Sequence, residues 1–405
     1  MNTEQPSLIE RAKTFSEEVI RPQAAQFEEQ GVSRDVIQQM AELGFLSSIL
    51  PVEYGGSGVD ALTYGRITEE IGKGCNSVRA LLTVHTSLVG ETIAKLGSDE
   101  QKKTFLPQMA SGEKIACFAL SEPEAGSDAA SIQTSYQEVD DGYIIKGGKK
   151  WITYGAIADL FLVFAKEGEK TSAFILERSM PGVTTTPISG LMASRGAHLA
   201  EITFDNVRVP KSNMLGRAGM GFSFVANTAL FYGRYSIAWA GVSIVCAALE
   251  EMVTYSRSRT QFGTKISQNQ LIKAMIADST AALHASRAIC EKIAQLRADG
   301  DQSAVTETNI AKYITSKAAA EVSSHAVQVF GGNGIWNAYA VERLFREAKV
   351  LEIIEGSSQI QQLMIAGQAL RDYYRAPLKK RYPKANSSTN KTVLSEVKDR
   401  QVASV

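Results

Sequence analysis

The sequence predicts a mainly α-helical protein with a central β-domain, because the period of its hydrophobic pattern changes twice along 405 residues. The pattern is helical from residue 7 to about 112, strand-like from about 114 to 210, and helical again from about 221. We therefore expect an N-terminal helical domain at 1–113, a middle β-domain at 114–213 and a C-terminal helical bundle at 214–375. The polar, Lys-rich residues 376–405 are expected to form a mobile tail.

Local signals define elements within these zones. In the first zone, Ser33 and Gly44 delimit one helix, and Ser98 with Gln101 predicts a capping box for another. In the second zone, apolar or β-branched runs predict strands at residues 143–145, 160–164, 173–176 and 202–204. In the third zone, long helices that are apolar on one side are predicted near residues 222–256, 268–298, 305–330 and 357–370.

Charge and cysteine content exclude several classes of protein. The 43 basic and 43 acidic residues balance, which argues against nucleic acid as a partner because such binding depends on neutralising phosphates. The four cysteines are scattered, with no CxxC and no His at ligand spacing. We therefore expect unpaired thiols in a reducing cytosol and no metal site.

A membrane location is not expected. Residues 1–13 lack the basic and then apolar segments of a signal peptide. The uncharged, largely apolar run at residues 235–249 is shorter than the roughly 18 residues that a membrane-spanning helix needs. The sequence predicts a buried helix there and a cytoplasmic protein.

Two motifs at predicted strand ends are suited to a flat or phosphorylated ligand. Ser121, Gly126 and Ser127, within residues 117–128, offer hydroxyls and close backbone approach, although an ordinary polar turn has the same composition. Trp151, within residues 149–153, is able to wall a flat cofactor, although core packing explains it equally.

Two motifs at helix ends have the same ambiguity. Arg259, at the start of residues 259–263, is suited to a pyrophosphate, but it also suits a helix C-terminus. The glycines within residues 328–334 admit close approach to a ligand, but a plain helix stop also explains them.

Glu355 is the sharpest signal in the sequence. It follows Ile353 and Ile354 and precedes a predicted helix start, where the helix dipole is expected to keep it ionised at neutral pH and competent as a base. Backbone N–H groups at the same place are able to bind a carbonyl oxygen as charge develops on it. An exposed carboxylate at a helix N-terminus is the alternative.

Taken together and in this order, these five segments resemble the acyl-CoA dehydrogenase family of flavoproteins. Residues 51–58, 207–210, 215–222 and 343–349 agree with it, so the resemblance covers about residues 7 to 370. The resemblance implies an N-terminal helical domain, a middle β-barrel-like domain and a C-terminal four-helix bundle. It also implies FAD held between the β-domain and the helices, with part of the site lent by a second subunit of a homodimer or homotetramer.

The resemblance assigns roles residue by residue. The implied FAD contacts near the ring or its loop are Phe118, Leu120, Ser121, Gly126, Ser127, Trp151, Ile152, Thr153, Ser357 and Gln359. Those implied for the adenine and pyrophosphate, often across the dimer, are Arg259, Phe262, Gln270, Gln328, Val329, Gly331 and Gly332. The implied substrate contacts are Ser127, Arg234 and Gly356.

Glu355 matches the catalytic base of most family members. Some members place the base at the residue before the bundle arginine, which is Gly233 here and cannot serve. The implied mechanism is α,β-oxidation of a thioester: Glu355 removes the α-proton while the β-hydrogen leaves as hydride to flavin N5. The thioester carbonyl would be polarised by the Glu355 N–H and an FAD hydroxyl.

Departures from the family pattern narrow the expected substrate. Members that bind coenzyme A usually carry an acidic residue where this chain has Phe231, and the usual aromatic before the base is Ile354. With Ser357 and Trp239, these changes resemble a biosynthetic branch that oxidises short polar acyl groups on acyl carrier protein, as for methoxymalonyl-type extender units.

Two alternatives remain open at this point. One is a catabolic short-chain acyl-CoA dehydrogenase that passes electrons to electron-transfer flavoprotein. The other is a non-catalytic, flavin-bearing protein associated with DNA, although relatives of that kind carry an extra basic domain and this chain is neutral.

Overall fold

The structure is a computed structural model that describes residues 6–375. The predicted tail at 376–405 lies outside the described residues. The chain divides into two compact units, residues 1–362 and 363–405, so the first unit contains nearly all of the three predicted domains. The boundaries between those domains stay a prediction.

The N-terminal zone is helical, and its caps are those predicted. Ser33 Oγ accepts the Val36 N–H at 3.3 Å, and Ser98 with Gln101 forms a capping box. Gly44 has a left-handed φ of +81° directly after the helix that Ser33 begins. The α-helices are α1 (Leu8–Phe15), α2 (Arg21–Gln30), α3 (Arg34–Glu42), α4 (Ala61–Gly74), α5 (Asn76–Leu81), α6 (Thr92–Leu96) and α7 (Asp99–Ala110). Leu82–Glu91, a π-helix, continues α5 into α6.

The middle zone is a sheet whose strands include all four of the predicted runs. Its strands are β1 (Ala116–Ala119), β2 (Ser135–Val139), β3 (Gly142–Ile152), β4 (Leu160–Glu167), β5 (Lys170–Glu177), β6 (Val183–Pro187), β7 (Ala200–Pro210) and β8 (Met214–Leu215). Their spatial order is β6-β7-β3-β2-β4-β5-β8, with β1 parallel to β4. The apolar runs form the core, and the ends of β1 and β3 carry the first two ligand-suited motifs.

The C-terminal zone is a bundle of long helices. They are α8 (Asn227–Ser258), α9 (Gln270–Ala298), α10 (Ala304–Phe330), α11 (Ala340–Leu351) and α12 (Ser358–Arg375). Buried apolar residues of α8 to α11, among them Trp239, Val245 and Cys290, form one continuous core. The four cysteines of the chain are free and buried, as predicted.

Two elements of the bundle were not predicted. Helix α11 is separate from α12, and a two-stranded hairpin, β9 (Thr260–Gln261) and β10 (Thr264–Lys265), follows α8. Phe262 and Gly263 both have positive φ, +53° and +79°, which is the backbone of a tight hairpin turn. The sequence signalled this turn through Gly263, but strands of two residues leave no period to detect.

The helical stretch Gly221–Ser258 is long and apolar enough to cross a membrane, but 72% of its most apolar window is buried inside the protein. That burial fits the prediction that residues 235–249 lie in a core helix.

Candidate active site

The predicted catalytic carboxylate lies in a short turn between two helices. Helix α11 ends at Leu351 and α12 begins at Ser358, and between them Glu355 and Gly356 have φ of +57° and +89°. This conformation costs a residue with a side chain about 1–3 kcal/mol. An added Cβ on Gly356 would lie 2.8 Å from Nε2 of Gln361. The turn therefore needs glycine at 356 and external support at 355.

Three buried donors supply that support. Nε of Arg234 on α8 donates to the Glu355 carbonyl at 2.9 Å, and Nζ of Lys312 on α10 donates to the Gly356 carbonyl at 2.7 Å. Nε2 of Gln361 on α12 lies 3.2 Å from both oxygens. Buried cations are costly unless they are hydrogen-bonded, and the turn supplies the acceptors they need. Cations and turn thus hold each other in place.

The carboxylate of Glu355 takes no part in these bonds. Its Oε2 is buried and has no hydrogen-bond partner among the described residues. Burial raises the pKa of Glu355 to about 7, and the positive charges of Arg234, Lys312 and Arg79 limit the rise. A carboxylate with a pKa near 7 is well matched to general-base catalysis at neutral pH.

This pKa differs from the expectation that the start of α12 keeps Glu355 ionised at neutral pH. Glu355 lies three residues before the helix, and Ser357 Oγ accepts the Ile360 N–H there at 3.3 Å. A helix dipole stabilises an exposed charge by only about 0.3–1 kcal/mol, so burial outweighs it. Ser357, predicted as an FAD contact, uses its hydroxyl to cap α12.

Gly233 lies directly against the carboxylate. A Cβ added to it would be 2.5 Å from Leu88 Cδ2 and 2.9 Å from Glu355 Oε2. The position that carries the base in some relatives therefore faces the same space that the Glu355 side chain enters. In this chain a side chain at 233 would displace the carboxylate, which agrees with Glu355 as the base.

The two strand-end motifs are brought together. The Lys150 N–H donates to the Ser121 carbonyl at 2.9 Å, so the segment after β1 lies against the end of β3. Trp151 has a left-handed φ of +65° and is 51% exposed, which excludes core packing as its role. Ile152 beside it is buried, and Phe118 packs edge-on against Phe164.

The helix-end motifs form a second group. A cavity of about 450 Å³ is lined by Arg259, Phe262, Val329, Gly331 and Gly332 among others, whereas Gln270 and Gln328 are not among its lining residues. Nothing lies within 4 Å of a Cβ built on Gly331 or Gly332, so the cavity is open at both. Because α8 rises 1.5 Å per residue, Arg234 and Arg259 are separated by about 37 Å along it. The helix-end group therefore lies at the opposite end of α8 from Arg234 and the Glu355 turn.

Four other predicted FAD contacts lie partly or fully at the protein surface. Gly126, Ser127 and Gln359 are exposed, and Thr153 is part-exposed. Arg234 and Gly356, predicted to bind substrate, belong to the support of the Glu355 turn.

Three residues that support the turn were not predicted from the sequence: Lys312, Gln361 and Asn309, whose Oδ1 accepts from Arg234 at 3.1 Å. The sequence carried one sign of Lys312, because Thr308 and Thr315 are small polar residues four positions before and three after it, on the same helical face. Nothing in one sequence showed that this face meets the Glu355 turn.

Comparisons with known families agree with the resemblance. The family profiles described as acyl-CoA dehydrogenase N-terminal, middle and C-terminal domains match residues 2–113, 117–207 and 219–370. The human mitochondrial short-chain specific acyl-CoA dehydrogenase is 36% identical over 372 residues, which is 90% of each chain. The probable acyl-CoA dehydrogenase YngJ of Bacillus subtilis is 37% identical over 92% of this chain and 99% of its own.

The similar solved structures include both a coenzyme A ester dehydrogenase and biosynthetic proteins. Butyryl-CoA dehydrogenase of Megasphaera elsdenii has a TM-score of 0.87 at 33% identity, covering 92% of this chain and all of its own. FkbI, for biosynthesis of the methoxymalonyl extender unit of FK520, has a TM-score of 0.83 at 30% identity, covering 90% and 99%. The prolyl acyl carrier protein oxidase AnaB has a TM-score of 0.86 at 29% identity, covering 91% and 99%.

Glu355→Gln tests the base. We expect the variant to keep its yellow flavin but not to bleach when substrate thioester is added without oxygen, as followed by visible absorbance. Since the folded-state pKa of Glu355 exceeds the usual 4.5, its ionisation costs stability as pH rises from 4.5 to about 7. The variant should therefore also unfold at a higher temperature than wild type above pH 7.

Glu352→Gln is the matched control, because Glu352 lies in the same turn and its carboxylate pairs with Lys349 at 2.8 Å. That control should bleach normally. If Glu355→Gln bleaches near the wild-type rate, the base lies elsewhere.

Proposed function

The chain belongs to the acyl-CoA dehydrogenase family, FAD-dependent oxidoreductases acting on CH–CH donors, and we propose that it oxidises a short, polar acyl thioester on acyl carrier protein. The process would be secondary-metabolite or polyketide extender-unit biosynthesis in the cytoplasm. The observation that carries the reaction is the buried, unpartnered Oε2 of Glu355.

Glu355 supplies the proton acceptor of this reaction. Its Oε2 takes the α-proton, the electrons of that C–H bond form the Cα–Cβ double bond, and the β-hydrogen leaves with its own electron pair. FAD, when bound, supplies the hydride acceptor. The Glu355 N–H is the proposed donor to the thioester carbonyl. A general base of this kind contributes about 10²–10⁴-fold, and the fixed turn supplies the positioning.

The residues present fit FAD. Trp151 is half exposed beside the part-buried Ser121, which offers a flat apolar surface next to a hydroxyl and a backbone. The space around Gly126 is open, since nothing lies within 4 Å of a Cβ built there. These are the features that a ring system and its polar edge require.

We propose that a second copy of the chain completes the site. Arg259 lies about 37 Å along α8 from Arg234, and this distance favours a role for Arg259 and the neighbouring Phe262 at another subunit's flavin. Phe262 is fully exposed, and Leu271, Ile335 and Trp336 are also exposed. Apolar side chains exposed in this number are typical of an interface.

A buried polar cluster supports a polar acyl group. Thr83 Oγ1 and Ser236 Oγ lie 2.7 Å apart, and Arg79 Nη1 donates to that Thr83 oxygen at 2.7 Å. Ser236 is three residues after Gly233, hence on the same face of α8, one turn from the Glu355 carboxylate. Tyr64 and Ser87 complete the cluster through bonds of 3.1 and 2.7 Å.

Arg79 brings a buried positive charge to this cluster. Arg79 is buried, and its positive charge lowers the pKa of Glu355, so it acts at the carboxylate. Nε and Nη1 of Arg79 already donate to Asn76 Oδ1 at 2.8 Å and to Thr83 Oγ1 at 2.7 Å, so Nη2 is the nitrogen left for substrate. A hydroxyl, alkoxy or carboxylate group offers it an acceptor, whereas a plain alkyl tail does not. The cluster therefore favours an acyl group that is polar beyond its α-carbon.

Arg79→Met tests the polar acyl group. Because Arg79 also lowers the pKa of Glu355, the comparison is made well above pH 7, where the base stays ionised in both proteins. There we expect kcat/KM for a 3-hydroxypropionyl thioester to fall about tenfold or more, the loss of a hydrogen bond to a charged group, with little change for butyryl. Arg287→Met, which removes one of the two arginines paired with the buried Glu69, Arg66 being the other, is the control for general destabilisation. The proposal of a polar acyl group would be wrong if wild type prefers the butyryl thioester and Arg79→Met lowers kcat/KM equally for both thioesters.

Phe231 supports a carrier protein as the thioester's other half. It lies two residues before Gly233 and lines a cavity of about 490 Å³ with Phe224, Asn227 and Tyr232. Its ring lies 5.6 Å from the guanidinium of Arg297, which is already paired with Glu91. Position 231 thus offers no carboxylate to coenzyme A. The likeness to FkbI and AnaB favours the same branch.

The alternative is a catabolic short-chain acyl-CoA dehydrogenase that passes electrons to electron-transfer flavoprotein. The human short-chain enzyme, YngJ and butyryl-CoA dehydrogenase favour it, since their names specify coenzyme A esters and their identities are 33% to 37%.

Kinetics with one acyl group on two carriers separate the alternatives. We expect a higher kcat/KM for the acyl carrier protein thioester than for the coenzyme A thioester, because Phe231 makes no polar contact with the nucleotide-bearing arm. Phe231→Asp should raise activity on the coenzyme A ester and leave the carrier-protein ester less affected. Phe224→Tyr, in the same cavity, is the control for a changed shape. A strong wild-type preference for coenzyme A would favour the catabolic function instead.

A further inference from the structure

A buried ion pair lies beneath the segment that follows β1. Nζ of Lys149 on β3 donates to Oε1 of Glu122 at 2.7 Å, and the two side chains are 0% and 5% exposed. Burial alone would raise the pKa of Glu122, but Lys149 and the hydrogen bonds that the Glu122 carboxylate accepts hold that pKa below its usual value. The pair is therefore ionised at neutral pH. Neither residue has a part in the chemistry described above.

The pair joins three pieces of backbone. Lys149 Nζ also donates to the Leu120 carbonyl at 3.1 Å. The Glu122 carboxylate accepts the N–H groups of Gln133 at 2.5 Å and Thr134 at 2.9 Å. Two side chains thus close both ends of the 120–134 loop and tie it to β3.

The pair connects the two segments that are expected to contact the flavin ring. Ser121 lies between Leu120 and Glu122, and Trp151 follows Lys149 by two residues. Trp151 holds a left-handed backbone, which for a bulky side chain persists only where the surroundings impose it. The Lys150 N–H bonded to Ser121 and the Lys149 bond to Leu120 are those surroundings.

Stability does not by itself account for such a pair. The attraction of a buried ion pair is largely cancelled by the cost of removing both charges from water, and apolar replacements are often neutral. A pair that also orders two ligand-binding segments reduces the cost of ordering them when the ligand arrives.

We infer that Lys149 and Glu122 are positioning residues that hold Ser121 and Trp151 in the geometry that retains FAD. The inference concerns retention of the cofactor, so it stands whether the acyl group is carried by coenzyme A or by a carrier protein.

The test measures flavin release from the holoenzyme, by the fluorescence of free FAD on dilution, beside the melting temperature. Lys149→Met leaves Glu122 buried and unpaired, so we expect more FAD release and a lower melting temperature than in wild type. In Lys149→Met with Glu122→Gln, no buried charge is left unpaired and an acceptor for Thr134 remains. That double variant should regain the wild-type melting temperature. It should still bind FAD about tenfold or more weakly than wild type, because it has lost one charge-assisted hydrogen bond.

Glu177→Gln is the matched control, because it breaks a part-exposed pair with Lys114 at 2.6 Å in the same sheet. It should release no more FAD than wild type. Recovery of both melting temperature and FAD affinity in the double variant would show a purely structural pair and overturn the inference. Wild-type FAD affinity in Lys149→Met would do the same.

Discussion

The site depends on one arrangement of charge: buried cations bond the backbone of the Glu355 turn and leave its carboxylate unbonded. Arg234 and Lys312 are satisfied by the carbonyls of Glu355 and Gly356 at 2.9 and 2.7 Å. Had they paired with the carboxylate, its pKa would have been depressed and its basicity lost. Because they do not, burial dominates and the pKa of Glu355 rises to about 7. The same contacts thus fix the position of the base and preserve its reactivity.

Other features of the molecule follow from this arrangement. Gly356 permits the second left-handed residue, and Gly233 leaves room for the carboxylate beside Leu88. A buried acid without a partner and a strained backbone at Glu355 both cost stability, which the long packed helices of the bundle offset. The flavin side repeats the pattern, since the strained Trp151 lies beside a buried ion pair that orders its neighbours. At Glu355 and Trp151, the strained backbone therefore lies where ligands are expected to bind.

Many of the helices, strands and caps could be predicted from the sequence because their signals are local. The Ser98 cap, the four strand segments and the long helices follow from residue type and period, and Glu355 followed from its motif. Lys312 and Gln361 were not found, because their roles come from contacts between helices far apart in the chain. The pKa of Glu355 was expected in the wrong direction for the same reason. A helix dipole can be placed from sequence, whereas burial of an oxygen depends on Gly233 and Leu88 meeting it.

The pH dependence of kcat/KM for flavin reduction by substrate, measured on both sides of pH 7, tests the central claim most directly, since this constant reports the free enzyme. The account predicts that the rate rises with pH and levels off with an inflection near 7, the pKa of the buried carboxyl of Glu355. An inflection near the ordinary carboxyl value of 4.5, or a rate independent of pH, would contradict it, because the carboxylate would then be solvated or paired.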